Sequence, residues 1–218
     1  MVICIAGGIG AGKSVVSRIL RLNGYAVYDC DLEARRLMEN DMSLRRSLSH
    51  VAGSDIYDAA GNLDRSVMST RIFGDENLRR KVNAYVHDAV RCDIVLRKER
   101  SGGNLMFVES AIPVTSGLDR MCDMIWLVEA PVSLRIERVM ARNAMSRDAV
   151  LSRIESQKGE EAEIKKLGRS GCIRTEVIDN DDNASLMDRI INLLETADTA
   201  RTDNAGRKCS KLTDSKYL

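Results

Sequence analysis

Apolar and polar positions follow two rhythms along the chain. Val2 to Ala6 form a short, almost unbroken apolar run, the pattern of a strand buried in a parallel sheet. A glycine-rich stretch follows. Val15, Val16, Ile19, Leu20 and Leu22 then recur at helical spacing, with Gly24 just past the expected end. The same exchange repeats downstream. Strands are expected at 26–28, 105–108, 124–128 and 174–178, and helices at 13–23, 32–39, 65–73, 76–98, 132–142, 147–156 and 185–196. Alternation of this kind predicts an α/β fold, a parallel sheet covered by helices. From Ala197 to Leu218 the chain is polar with little apolar periodicity and is expected to be a mobile tail.

The glycine-rich stretch carries the first chemistry. Gly7 to Ser14 fits G-x-x-x-x-G-K-[ST], the phosphate-binding P-loop, and sits between a strand and a helix as that loop requires. Glycines let backbone amides approach an anion closely, and the N-terminus of the following helix favours negative charge. Lys13 adds a compact cation for the β- and γ-phosphates, and Ser14 offers an oxygen to Mg²⁺. The stretch Gly8, Ile9, Gly10, Ala11, Gly12, Lys13, Ser14 and Val15 is therefore expected to hold a nucleoside triphosphate with Mg²⁺. The loop does not name the acceptor.

Composition narrows the setting. A length of 218 residues with 44% hydrophobic positions suits one α/β domain carrying an inserted lid or substrate piece. The net charge of +1 argues for neither nucleic acid nor a membrane surface. Six scattered cysteines without a C-x-x-C pair disfavour a zinc site or disulfide framework and fit a reduced, cytoplasmic protein. The apolar start is too short for a signal-peptide core, and no stretch approaches the ~20 apolar residues of a membrane helix. Between Asp64 and Arg100, nine Lys/Arg face six Asp/Glu. This segment follows the second βα unit and is placed to be an acceptor-binding insert, although an ordinary charged helical face has the same composition.

Several polar residues fall at strand ends, where open parallel sheets bind ligands. Asp31 fits a general base for an acceptor hydroxyl, a Mg²⁺ ligand through water, or simply a helix N-cap. Arg35 lies four residues on and shares a helix face with it. Glu109 ends a third strand and could orient a metal-bound water or the acceptor. Arg135, Arg138 and Arg142 form one stripe on a helix begun by Pro131, which suits a lid closing on phosphates or a solvated face paired with Glu137. Asn180 ends the last strand, where it fits an adenine contact or the start of a turn. Asp58 to Gly61 match the short D-x-x-G pattern of GTP-dependent switches. No convincing strand precedes them, and no N-K-x-D motif accompanies them.

Taken in order, these pieces resemble dephospho-coenzyme A kinases from Val2 to about Glu195. The carriers are GGIGAGKS, DCDLEAR at 29–35, GNLDRSVMSTRIFGDENLRRKVNAYVH at 61–87, VESAIP at 108–113, RIERVMARN at 135–143, SRIESQ at 152–157 and VIDN at 177–180. The resemblance implies a three-layer P-loop fold with core segments 1–60, 104–134 and 172–196, an acceptor-binding insert at about 61–103 and a lid at about 135–171. It implies ATP with Mg²⁺ as donor, dephospho-CoA as acceptor, and transfer to the ribose 3′-hydroxyl as the last step of coenzyme A synthesis. It makes Asp31 the base, sets Arg35 and His87 near the acceptor, and brings Arg142 to ATP and Asn180 to adenine. The chain departs from the family pattern where His87 is followed by Asp88 instead of Pro, where Glu109 replaces Asp, and where Arg142 is followed by Asn143 instead of Asp.

Overall fold

A computed structural model of the chain describes residues 1–181 and 185–207, the last ten of these as backbone alone. Among the described residues the order is β1 (Val2–Ala6), α1 (Lys13–Leu22), β2 (Ala26–Asp29), α2 (Cys30–Asn40), α3 (Met42–Ala52), α4 (Arg65–Gly74), α5 (Glu76–Arg100), β3 (Met106–Glu109), β4 (Met124–Glu129), α6 (Val132–Asn143), α7 (Arg147–Arg169), β5 (Arg174–Asp179) and α8 (Leu186–Arg207). The strands form one parallel sheet in the order β2-β3-β1-β4-β5.

Residues alternate between faces along each strand, so the sheet builds two cores. Ile3 and Ile5 join Phe107, Trp126 and Ile178 on one face, under Val16 and Leu20 of α1 and Ile190 and Leu194 of α8. Phe107 meets Trp126 at 5.1 Å between ring centroids, and Tyr25 closes on Phe107 edge-on at 5.5 Å. On the other face Val2, Tyr28, Met106 and Val108 are covered by Leu37, Leu48, Val82, Val90 and Ile94 of the α2–α5 cluster. Cys4, Ala6, Ile125 and Leu127 on that face pack against Ile164 of α7 and Ile173. The three-layer α/β arrangement is the one expected.

The differences lie in helix ends and in one added helix. Helix α3 is not among the elements expected from the apolar pattern. Its Asp41 side chain accepts from the Leu44 amide as an N-cap, and Leu44, Leu48 and Ala52 supply the buried stripe. Helix α7 runs thirteen residues past the expected 156, through Gly159, because the added stretch is otherwise rich in the helix formers Glu, Ala, Lys and Leu. Helix α8 continues to Arg207, beyond the expected 196, so it takes in the first part of the segment read as a tail. Positions 208–218 of that segment lie outside the described residues. Among the described residues no helix is long and apolar enough to cross a membrane, and the five cysteines are free thiols.

Candidate active site

The strand order turns back at β1 and β3, the switch point at whose carboxyl edge open α/β sheets bind ligands. β1 delivers the 7–14 loop there, β2 delivers Asp29 and Asp31, and β3 delivers Glu109. A cleft of 290 Å³ opens between them, lined by Lys13, Asp29, Asp31, Arg35, Glu109 and Ser110 among others.

The loop has the backbone its sequence requires. Gly12 stands at φ +106° as the N-cap of α1. No side chain caps that helix, and no acidic residue occupies its first turn, so its leading amides are left for an anion. Lys13 Nζ donates to the carbonyls of Gly7 at 2.7 Å and Gly8 at 3.2 Å. Burial lowers the Lys13 pKa. Glu109 and Asp31 work against that shift, while the Arg135 and Arg142 cations add to it. Ser14 and Val15 are exposed at the start of α1, and Ala11 is buried beneath the loop.

The N-cap reading of Asp31 does not hold. Asp29 caps α2, its carboxylate accepting from the Leu32 amide at 3.0 Å. Asp31 is thereby freed in the first turn, exposed at the cleft. Asp31 and Arg35 were read as partners for an acceptor or for each other. Among the described residues neither makes an ion pair, and the same is true of Glu109. Their charges face the cleft, not each other.

His87 lies one cavity away. A 150 Å³ cavity shares Asp31 and Ser110 with the cleft and is completed by His87 of α5, Cys30 and Ser116. Burial lowers the His87 pKa and Arg91 adds to the effect, with Asp88 opposing it. The Asp88 carboxylate, where the family pattern has proline, accepts from the Arg91 guanidinium.

On the opposite side, α6 and α7 grip the loop at Ile9. Its amide donates to Gln157 Oε1 at 2.6 Å, its carbonyl accepts from Arg135 Nε at 2.9 Å, and its side chain packs on the Ile136, Val139, Val150 and Ile154 cluster. Arg135 is 5% exposed and pairs with Glu161 at 3.1 Å. A Cβ on Gly8 would come within 1.9 Å of an Arg135 terminal nitrogen and 2.3 Å of a Glu161 carboxylate oxygen, so a side chain there would displace the ends of that pair. Asn180 is also engaged with the loop. Its Nδ2 donates to the Ala11 carbonyl at 2.8 Å, and its own carbonyl accepts from Arg138 at 3.2 Å. Arg142 is exposed at the end of α6, with Nε on the Asn143 side chain at 2.7 Å.

Lys13, Asp31, Arg35 and Glu109 thus share one cleft. Ile9, Asn180 and Arg142 lie on the other side of the loop, and His87 borders the adjoining cavity. Asp29, Gln157 and Glu161 carry no separate functional signal in the sequence. Gln157 stood inside a quoted motif, but its contact with Ile9 spans 148 positions and leaves no local pattern.

Sheet, loop and apposed carboxylates together define a P-loop kinase. The chain matches the dephospho-CoA kinase family over residues 1–185. It is 35% identical to a dephospho-CoA kinase of Porphyromonas gingivalis over 93% of this chain and 97% of that one. It is 29% identical to the Bacillus licheniformis dephospho-CoA kinase over 91% and 96%. Among solved structures, TT1252 from Thermus thermophilus superposes with a TM-score of 0.72 at 31% identity, covering 92% of this chain and 97% of that one. The Campylobacter jejuni dephospho-CoA kinase, at 18% identity and a TM-score of 0.64 over 91% and 98%, shares the fold. This chain belongs to the dephospho-CoA kinase family.

Proposed function

We propose that the chain transfers the γ-phosphoryl group of ATP to the ribose 3′-hydroxyl of dephospho-CoA, giving coenzyme A and ADP. The observation that carries this reading is the freed Asp31 carboxylate, which shares the cleft with Lys13, Arg35 and Glu109. Gly8 to Val15 hold the donor phosphates with backbone amides, and Lys13 exchanges its carbonyl partners for phosphate oxygens. Asp31 orients the acceptor hydroxyl and takes its proton as the oxygen attacks. Arg35 of α2 and His87 of α5 hold the acceptor, His87 from within the insert at about 61–103. Arg142 reaches the phosphates from the α6–α7 lid and offsets charge in transfer, while Asn180 fixes the loop beside the adenine.

Among the described residues no cluster of three or more His, Cys, Asp or Glu side chains forms a metal cage. The Ser14 hydroxyl with the Asp31 and Glu109 carboxylates across the cleft suits Mg²⁺, which is held by one or two side-chain oxygens together with phosphates and water. Ser14 would hold it, with Asp31 and Glu109 orienting its waters, and it would supply charge neutralisation at the phosphates. The free thiols support a reducing, cytoplasmic setting.

ADP release from ATP·Mg²⁺ tests the reading, with dephospho-CoA set beside nucleoside monophosphates, shikimate and gluconate. ADP formed only with dephospho-CoA, and a product of coenzyme A mass, is the expected result. Release driven by another acceptor overturns the acceptor assignment and leaves the kinase.

A further inference from the structure

The cleft at Lys13 does not end at His87. It shares Asp31 and Ser110 with the 150 Å³ cavity, which in turn shares His87 and Ser116 with a groove of 1040 Å³. The groove lies between α5 and the 113–121 segment and follows α5 from Ala84 to Leu96. From His87 to Leu96 that helix advances roughly 13 Å.

Its walls are mixed. Val95 and Leu96 expose apolar surface at 42% and 49%. Arg120 stands exposed at the rim. The 113–115 wall is held by α7, where the Glu160 carboxylate accepts from the Val114 amide at 2.5 Å and the Thr115 hydroxyl at 2.6 Å. Arg91 donates to the Ser116 carbonyl and fixes the wall to α5.

The length of the acceptor makes the groove its natural continuation. Small-ligand pockets run about 300–1,000 Å³, and the cleft and its side cavity offer 290 and 150 Å³. An acceptor whose reacting hydroxyl sits at Asp31 and whose remainder is a diphosphate and a long amide-containing arm must continue elsewhere. The connected route leads past His87.

We propose that the groove between α5 and the 113–121 segment seats the pantetheine arm of the acceptor, with its gem-dimethyl and methylene groups on Val95 and Leu96. This rests on dephospho-CoA being the acceptor. Cys92, an exposed thiol lining the groove, reports on it, and Cys172, exposed just before β5, is the internal control.

Alkylation of both cysteines by iodoacetamide is followed by peptide mass analysis of the whole protein. The ligands are S-acetyl-dephospho-CoA, whose own thiol is capped, and AMP, which lacks the arm. Calorimetry on the same samples establishes binding. Saturating S-acetyl-dephospho-CoA is expected to slow Cys92 labelling at least about tenfold, while AMP leaves it unchanged and Cys172 reacts equally throughout. Bound ligand with unchanged Cys92 labelling overturns the groove assignment alone, as does equal protection by AMP. Absence of S-acetyl-dephospho-CoA binding overturns the acceptor reading and the groove with it. As a second measurement, Val95→Trp should raise KM for dephospho-CoA about tenfold with kcat and the KM for ATP unchanged. An unchanged KM in a folded variant overturns the assignment.

Discussion

At the residue scale, the contest between Asp29 and Asp31 decides the chemistry. Both precede the helix start expected at 32, and both suit an N-cap by composition. The strand reaches Asp29, one residue further than its apolar pattern indicates, so the cap falls there. A carboxylate left exposed beside Lys13 is placed for proton transfer, and general bases contribute about 10²–10⁴ in rate. Asp31→Asn should lower kcat on that order with ATP affinity held within about threefold, a limit chosen so that lost phosphate binding is told apart from lost base function. Near-normal turnover would remove the base role. His87 makes a second prediction. Burial holds its pKa below the ordinary 6.5, so between 6.5 and the lower folded value the unfolded chain binds more protons. Stability therefore falls as pH drops through that window. Urea unfolding at a series of pH values should show a slope there that His87→Gln reduces. An identical slope in the variant would separate His87 from it.

At the element scale, α6 and α7 are tied to the phosphate loop through all of Ile9: amide, carbonyl and side chain. These contacts brace the Arg135 end of α6 against the loop. The far end of α6 around Arg142 and Ala144, where the helix ends in a left-handed residue at φ +51°, is exposed. Arg142→Ala should reduce turnover without changing stability. Arg135→Met should do the reverse, leaving Glu161 without its partner at a cost of about 1–3 kcal/mol and lowering Tm by roughly 2–4 °C per kcal/mol. Adding Glu161→Leu should recover part of that loss, since removing both charges spares the desolvation of one. If Arg135→Met melts like the parent, the brace is not holding the loop. These long-range contacts explain what was illegible. The arginine stripe was evident from its spacing, but which of its members faces the loop and which faces solvent depends on α7. Helix α7 itself runs thirteen residues beyond the end expected for it.

At the scale of the whole molecule, the sequence pattern located every strand to within a residue at either end and the layers with them. Buried parallel strands are continuous apolar runs, and Val2–Ala6 and 124–128 stand out as such. The P-loop was legible because its chemistry is written in consecutive residues. The cleft was only partly so, since it is assembled from three strand ends whose order β2-β3-β1 is fixed by packing. Because the loop joins a central strand to helices on both faces, ligand binding there should stabilise the cooperative unit. Nucleotide at a hundred times Kd should add about 2.7 kcal/mol to unfolding. Lys13→Ala should lose most of that increment at the same concentration, read as a smaller thermal shift. A full shift in the variant would mean that Lys13 contributes little to donor binding.

The absent side chain at position 8 has a consequence for mutational history. Its space is filled by the ends of the Arg135 and Glu161 side chains, so the three positions should covary. In a library randomised at 8, 135 and 161 and selected for activity, alanine or serine at 8 should survive only with a short residue at 135. Arginine at 135 should appear only with glycine at 8. Such epistasis would make the order of substitutions matter: the brace must be lost before the loop can gain a side chain.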